Sequence, residues 1–232
     1  MVARNMVKDN EFYKRISKIG LQKRWEKVHS LVRLKDNLSI EKVGIHAYLC
    51  GDGWIAARQD KNKEKHYDIK LFLDNEDLAK MVVNLFKIEF NIEPKIKFNR
   101  GCFYVQIKNK PVCLNLLSLG KYNCSNWKIL DNLNEEQKKE WIKCFFDCEA
   151  YVDVNSKIIQ VKSINFKGLL SIEELLKSLG INSKVYGPYN PKNKDHSPYG
   201  MLIISKKEDL IKYKNFINFH HPKKKYKINQ II

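Results

Sequence analysis

The fold is decided by two nine-residue stretches, IHAYLCGDG at residues 45–53 and IKCFFDCEA at residues 142–150. Each is rich in apolar residues, and each reaches a carboxylate at its eighth position. Small residues recur four positions apart, Ala47 with Gly51 and Cys144 with Cys148. Residues four apart share one face of a helix, and a face of small residues lets two backbones approach closely. We therefore expect two helices that pack against each other, with their bulky side chains directed into two cores.

Such packing brings Asp52 and Glu149 together at the carboxyl ends of the two helices. Two carboxylates repel, and the unpaired carbonyls of a helix end add partial negative charge. Either one carboxyl keeps a proton or a cation lies between the two. Oxygen ligands of this kind suit Mg²⁺ or Ca²⁺. The matched pair therefore predicts a site for a divalent metal.

Hydrophobic period and turn signals predict the same order of elements twice: helix, two strands, helix, two strands, helix. The spacing agrees, because Asp52 and Lys110 are 58 residues apart and Glu149 and Lys206 are 57 apart. We expect an α+β fold of two pseudo-symmetric αββαββα repeats, each with a curved antiparallel four-stranded sheet, packed through the paired helices. The predicted helices cover 40–51, 76–90, 110–119, 135–148 and 169–179, with a last helix near Lys206. The predicted strands cover 54–59, 66–73, 94–98, 102–108, 150–154, 158–165, 183–187 and 199–204. The predicted divisions of the chain are a basic helical extension over 1–39, a first repeat over 40–119, a linker over 120–134, and a second repeat with a basic tail over 135–232.

The 232-residue chain carries 43 Lys and Arg against 26 Asp and Glu, a formal charge of +17. This excess favours a polyanionic partner, because neutralised phosphates release bound counterions. No run of 18 apolar residues is present, which argues against a membrane-spanning segment. The amino terminus lacks the apolar run of a signal peptide, and the six cysteines form no C-x-x-C pair. We expect an intracellular protein with reduced thiols, cytoplasmic or nucleoid-associated, or organellar if the source is eukaryotic.

The motifs YLCGDGWI at residues 48–55 and FFDCEAYV at residues 145–152 resemble the two signatures of the LAGLIDADG homing endonucleases, and their spacing resembles the single-chain members. The segments LGINSK at 179–184 and FHHPKKK at 219–225 extend the resemblance over about residues 41–226. It implies a monomeric, intron-type, sequence-specific hydrolase that cuts both strands of a long asymmetric DNA site with Mg²⁺, or with Mn²⁺ or Ca²⁺ in the same site. It implies that Asp52 and Glu149 are catalytic metal ligands, assisted by the backbone carbonyls of Gly51 and Cys148. It also implies that a basic residue near the end of the fourth strand of each repeat assists, and the matching residues are Lys110 and Lys206.

In this family the strands form a saddle over the major groove, where base edges are distinguishable. Strand side chains alternate, so either Trp54, Ala56 and Arg58 or Ile55, Ala57 and Gln59 face the DNA. The predicted contact residues are Arg58, Lys70, Arg100, Gln106, Lys108, Lys157, Gln160, Lys162, Lys192 and Lys194, and His196 extends the same loop. In the amino-terminal extension, Ile16, Ile19 and Trp25 indicate that part of the segment is buried.

Two residues depart from the family motif. Cys50 stands where an acid is usual, and Ala150 stands where a glycine is usual. Neither is a proposed ligand, but both leave open a protein that binds nucleic acid without cutting it, such as an intron-splicing maturase acting on intron RNA or a DNA-binding regulator. An intein-embedded nuclease is disfavoured by the starting Met1 and by the lack of a His-Asn end.

Overall fold

The computed structural model describes residues 11, 13–23, 32–35, 37–59, 65–191, 195 and 197–232. Beyond a helical stretch over 13–23, it contains seven helices and eight strands in two successive sets. The helices are α1 (Ile40–Cys50), α2 (Glu76–Phe90), α3 (Lys110–Leu117), α4 (Glu135–Glu149), α5 (Phe166–Ser178), α6 (Lys207–Phe216) and α7 (Pro222–Ile231). The strands are β1 (Gly53–Gln59), β2 (Lys65–Leu73), β3 (Ile96–Asn99), β4 (Cys102–Ile107), β5 (Ala150–Asp153), β6 (Ile158–Ser163), β7 (Lys184–Tyr189) and β8 (Tyr199–Ile204). The predicted α+β fold of two repeats is confirmed.

Each repeat forms one antiparallel four-stranded sheet, ordered β1-β2-β4-β3 in the first and β5-β6-β8-β7 in the second. The first strand of each sheet follows its helix almost without a loop, so the sheet starts beside the helix end. Gly53 pairs with Leu71, and Ala150 pairs with Val161. Because these pairs occupy matching positions, the two acids that precede Gly53 and Ala150 lie at equivalent places in the two repeats.

Helices α1 and α4 pack against each other and form the seam between the repeats. A Cβ placed on Gly44 would lie 3.3 Å from Cys144 Sγ, and one on Gly51 would lie 2.6 Å from Cys148 Cβ. The small residues therefore face one another across the seam, as their spacing predicts. Ser39 caps α1 by accepting a hydrogen bond from the Lys42 amide at 3.1 Å.

The bulky motif residues fill the cores on either side of the seam. Leu49, Phe145 and Phe146 are buried, and Phe145 stacks on Trp141 with ring centroids 5.0 Å apart. The predicted linker segment contributes to this core through Trp127, which is 3% exposed and lies 4.7 Å from Phe145 between ring centroids. Among the described residues, no helix combines the length and apolar character needed to cross a bilayer.

Three details differ from the sequence predictions. Helix α7 follows the helix that was expected to be the last, since Pro222 begins a new helix within the supposed tail. Helix α5 begins at Phe166 rather than 169, because Asn165 accepts a hydrogen bond from Gly168 N at 3.0 Å and so starts the helix earlier. Ile16 and Ile19 are 51% and 46% exposed rather than buried, and Trp25 lies outside the described residues.

Candidate metal centre and nucleic-acid interface

Asp52 and Glu149 lie together at the carboxyl ends of α1 and α4. Burial, followed by the charge of Asp52, raises the pKa of Glu149 from 4.5 to about 7, and the charge of Lys224 opposes the shift. Desolvation also raises the pKa of Asp52, although its side chain reaches the surface, while a hydrogen bond from Cys148 and the charge of Lys224 lower it. Two carboxyls that resist ionisation beside each other are a favourable place for a divalent cation, which would stabilise both charged forms.

The two helix ends approach each other closely because Gly51 has no side chain. A Cβ there would meet Cys148 Sγ at 3.1 Å and Glu149 Cγ at 3.6 Å. The two predicted carbonyl ligands, of Gly51 and Cys148, therefore belong to two helix ends that are in direct contact. The two carboxylates and the Gly51 carbonyl are hard oxygen donors of the kind that Mg²⁺, Mn²⁺ and Ca²⁺ accept. The Cys148 carbonyl accepts a hydrogen bond from Lys224 at 3.1 Å, so only its second lone pair is left for a metal. The residues present fit such a metal.

Lys224 on α7 completes this end of the seam and was missed by sequence reasoning. Its Nζ donates hydrogen bonds to the carbonyls of Phe146, Asp147 and Cys148 at 3.0, 2.6 and 3.1 Å. The Phe146 carbonyl also accepts from the Ala150 amide, so the ammonium is a second donor there and is the donor to the carbonyls of Asp147 and Cys148 at the carboxyl end of α4. Burial lowers the pKa of Lys224, and the charges of Asp147, Asp74 and Asp52 oppose that shift. The signal available in the sequence was the lysine run after Pro222, but nothing in that run identifies which lysine turns inward.

Asp147, next to the candidate metal ligands, holds the two repeats together instead of joining the carboxylate pair. Tyr48 of α1 donates to its Oδ2 at 2.9 Å, and both groups are buried. The backbone amides of His220 and His221 donate to Asp147 Oδ1 at 3.0 and 2.9 Å. Tyr48 is therefore directed inward, as predicted, and also makes a hydrogen bond across the seam.

A cavity of about 310 Å³ opens beside Glu149 and is lined by Gly51, Glu149, Lys162 and Tyr199, among others. Lys162, predicted as a DNA contact, is exposed and holds its ammonium 6.0 Å from the Tyr199 ring. Lys162 therefore lines the same cavity as Glu149.

Lys110 and Lys206 are not brought to the carboxylates. The Lys110 ammonium lies 5.6 Å from the Tyr67 ring, four residues along β2 from the Leu71 that pairs with Gly53. Four strand residues span about 13 Å, so Lys110 lies about that far along the sheet from the end next to Asp52. Lys206 lies just before α6, beyond the Ile204–Ile159 pair, and its ammonium lies 4.0 Å from Glu208. Both lysines stand at the far end of their sheets, because β4 and β8 run away from the seam before those helices start.

The strand pairing of the first sheet shows which of its faces points away from the core, and this is called its open face. Ile55 pairs with the fully buried Ile69, so Trp54, Ala56 and Arg58 point the other way. Lys70 and Arg58 lie 5.4 and 5.8 Å from the Trp54 ring. Gln106, opposite Lys70, donates to Asp68 at 2.9 Å. This face therefore presents a cationic and aromatic row with one amide–carboxylate pair.

The second sheet presents a similar open face. Tyr151 pairs with Gln160, and the Lys227 ammonium lies 5.0 Å from the Tyr151 ring. Lys184 lies 5.7 Å from the Tyr186 ring. The remaining predicted contacts sit at sheet edges and turns, Arg100 and Lys157 in left-handed turn positions with φ of 51° and 53° and Lys108 exposed after β4. Lys192, Lys194 and His196 lie outside the described residues.

Comparisons with known proteins agree with this architecture. The model of the LAGLIDADG-like domain family matches residues 136–218, which lie within the second repeat. A crystal structure of I-DmoI in complex with DNA and Mn has a TM-score of 0.58 at 20% identity, covering 76% of this chain and 97% of that one. The chain has the two-repeat LAGLIDADG homing endonuclease fold.

Two further solved structures are similar to this chain. The homing endonuclease I-WcaI bound to its DNA recognition sequence has a TM-score of 0.53 at 16% identity, with 90% and 92% of the two chains covered. Full-length DUF199/WhiA from Thermatoga maritima has a TM-score of 0.51 at 12% identity, with 85% of this chain and 61% of that chain covered. None of the curated proteins compared with this sequence matches it.

Proposed function

We propose that this chain is a sequence-specific, metal-dependent double-strand DNA endonuclease of the homing type. The observation that carries the proposal is the pair Asp52 and Glu149 at the ends of two packed helices, between two sheets whose open faces bear lysines, an arginine and aromatic rings. The structurally similar proteins I-DmoI and I-WcaI are described as homing endonucleases in complex with DNA, the former with Mn, Mg or Ca.

Each group has a role that its position supports. Asp52, Glu149 and the carbonyls of Gly51 and Cys148 would hold a divalent metal, with Mg²⁺ the first candidate. A bound metal of this kind stabilises charge on a phosphate and makes water a better nucleophile. Lys162 would bind the phosphate that enters the cavity beside Glu149. Lys224 orients the last turn of α4, and with it Glu149, without touching the DNA.

The proposed substrate is a long, asymmetric double-stranded DNA site. The two open faces carry different side chains at matching positions, Lys70 in one repeat and Gln160 in the other, so each half would read a different sequence. A single chain with two repeats would act as a monomer. We further propose an intracellular location. We also propose that the chain is divided into a basic extension, two repeats and a linker between them.

The deciding experiment is selection of cleaved sites from a randomised DNA library with purified protein, in Mg²⁺ and in chelator. We expect metal-dependent enrichment of one long site, lost in Asp52→Asn and in Glu149→Gln. Glu174→Gln, which alters an exposed glutamate on α5, is the matched control and should cleave normally. Tight retention of particular DNA or RNA by the wild type, without cutting in any metal, would replace this proposal with a non-cleaving binder on the same fold.

A further inference from the structure

Three side chains of different ligand types converge on the seam, away from the carboxylate pair. Glu140 and Cys144 are one helical turn apart on α4, and His220 reaches them from the connection between α6 and α7. Cys144 Sγ lies 3.3 Å from Glu140 Oε1, and His220 Nε2 lies 3.4 Å from the same oxygen. The three potential ligand atoms all lie within 4.8 Å of one another. Glu140 and Cys144 precede Glu149 by nine and five residues, about 13 and 7.5 Å along the helix, so this cluster is separate from the proposed DNA-cleavage centre.

The two separations from Glu140 Oε1 resemble edges of a tetrahedral zinc site, and the third pair of atoms lies within 4.8 Å. With bonds of about 2.0–2.3 Å to sulfur, nitrogen and oxygen, neighbouring ligand atoms in such a site lie about 3.3–3.8 Å apart. Thiolate and imidazole ligands favour zinc and other transition metals over Mg²⁺. The donor set therefore differs in kind from the all-oxygen set at Asp52 and Glu149.

Gly44 lets α1 approach the cluster closely, and the cluster is open to solvent through two of its three members, since Cys144 itself is fully buried. Gly44 of α1 lies opposite, and a Cβ there would come within 3.3 Å of Cys144 Sγ and 3.5 Å of Glu140 Oε1. Lys143 occupies only the other carboxylate oxygen, with Nζ 3.4 Å from Glu140 Oε2. The side chains of Glu140 and His220 are 14% and 32% exposed, so an ion and a water ligand can reach them from solvent.

We propose that Glu140, Cys144 and His220 form a binding site for a transition-metal dication such as Zn²⁺, with water as the fourth ligand. Binding releases the thiol proton of Cys144 to solvent and leaves Oε1, Sγ and Nε2 as the protein ligands. The ion would fasten the connection before α7 to α4. Lys224 of α7 already contacts the carboxyl end of α4. The ion would add a second connection between α4 and the segment before α7, nearer the middle of α4.

The test is titration of the metal-free full chain with Co²⁺ in excess Mg²⁺, followed by displacement with Zn²⁺. A cysteine ligand produces thiolate-to-cobalt charge-transfer absorption, which an all-oxygen site cannot produce. We expect this absorption in the wild type at one Co²⁺ per chain, its loss on adding Zn²⁺, and an increase in Tm with Zn²⁺.

Three variants make the result specific. Cys144→Ala places at this position the residue that α1 has at its equivalent, Ala47, and His220→Ala alters a partly exposed ring while keeping the backbone amide bonded to Asp147. Both should lose the absorption and the Zn²⁺-dependent increase in Tm, while Cys124→Ala, at an exposed cysteine, should keep both. Absence of the absorption in the wild type, or its persistence in folded Cys144→Ala, would overturn the proposal. The outcome is independent of DNA cleavage, since neither DNA nor activity is measured.

Discussion

At the residue scale, the seam concentrates ionisable groups whose charge is unfavourable without a metal. Glu149 is the clearest example, because burial and the charge of Asp52 raise its pKa from 4.5 to about 7. The folded protein therefore holds a proton at pH values where the unfolded chain has released it. The proton-linked contribution of Glu149 is fully present below pH about 4.5 and is lost as the pH rises towards 7.

We predict that, in chelator, Glu149→Gln is more stable than the wild type at pH 8 by up to roughly 3 kcal/mol, since one pKa unit corresponds to about 1.4 kcal/mol. At pH 4.5 the advantage should be small, because the wild-type carboxyl is then mostly protonated in the folded protein. Urea denaturation at both pH values measures the difference. The same pH dependence in wild type and variant would contradict this interpretation, and saturating Mg²⁺ should narrow the gap at pH 8.

A second residue-scale prediction concerns the hydrogen bond between the repeats. Tyr48→Phe removes the donor to Asp147, and we expect a loss of about 1–3 kcal/mol in the free energy of unfolding, since hydrogen bonds to charged groups are the stronger class. Tyr213→Phe is the matched control, because Tyr213 is equally buried but donates to the neutral Asn218 carbonyl at 3.2 Å. Its loss should be smaller, about 1 kcal/mol. Equal losses measured by urea denaturation would show that the bond across the seam has no special strength.

At the element scale, α7 acts as a support for α4. Its Lys224 donates to three carbonyls of the last turn of α4, while its neighbour Lys225 is exposed. The helix begins at Pro222, and His221 just before it contacts Asp74 of the first repeat at 3.1 Å. Through Lys224 and the preceding His221, this short helix contacts both α4 of the second repeat and Asp74 of the first repeat.

We predict that Lys224→Met lowers the free energy of unfolding by about 1–3 kcal/mol in the absence of metal, because the carbonyls at the end of α4 lose their donor while the aliphatic stem is kept. Lys225→Met should change it by less than about 0.5 kcal/mol. Chemical denaturation in chelator distinguishes the two variants. A harmless Lys224→Met would mean that water satisfies those carbonyls equally well.

At the scale of the whole molecule, the two open faces are similar in shape and different in chemistry. Arg58 and Lys70 flank Trp54 on the first face, whereas Gln160 stands opposite Tyr151 on the second. With a formal charge of +17, the chain would attract any DNA. Sequence preference would come from these few side chains in the grooves.

We predict that Arg58→Ala relaxes base preference at positions in only one half of the selected DNA site. A good contact from arginine to guanine contributes about 1–3 kcal/mol of discrimination. Library selection with the variant measures this directly. Lys177→Ala, at an exposed lysine on α5, should leave the preference unchanged. Relaxation spread evenly over both halves would contradict the assignment of one sheet to one half-site.

The sequence by itself determined what depends on local spacing. The small residues of the two motifs specified close helix packing, and the repeated order of elements specified two sheets, because helix and strand periods are local properties. It also indicated Asp52 and Glu149 as a pair, since both end equivalent helices. Only the tertiary structure decided which face of β1 is open, that Lys162 and Lys224 stand beside Glu149 while Lys110 and Lys206 do not, and that His220 meets Glu140 and Cys144. Those neighbours are distant in the chain, and their meeting depends on strand register and on a helix that begins inside a basic segment with no strong apolar pattern of its own.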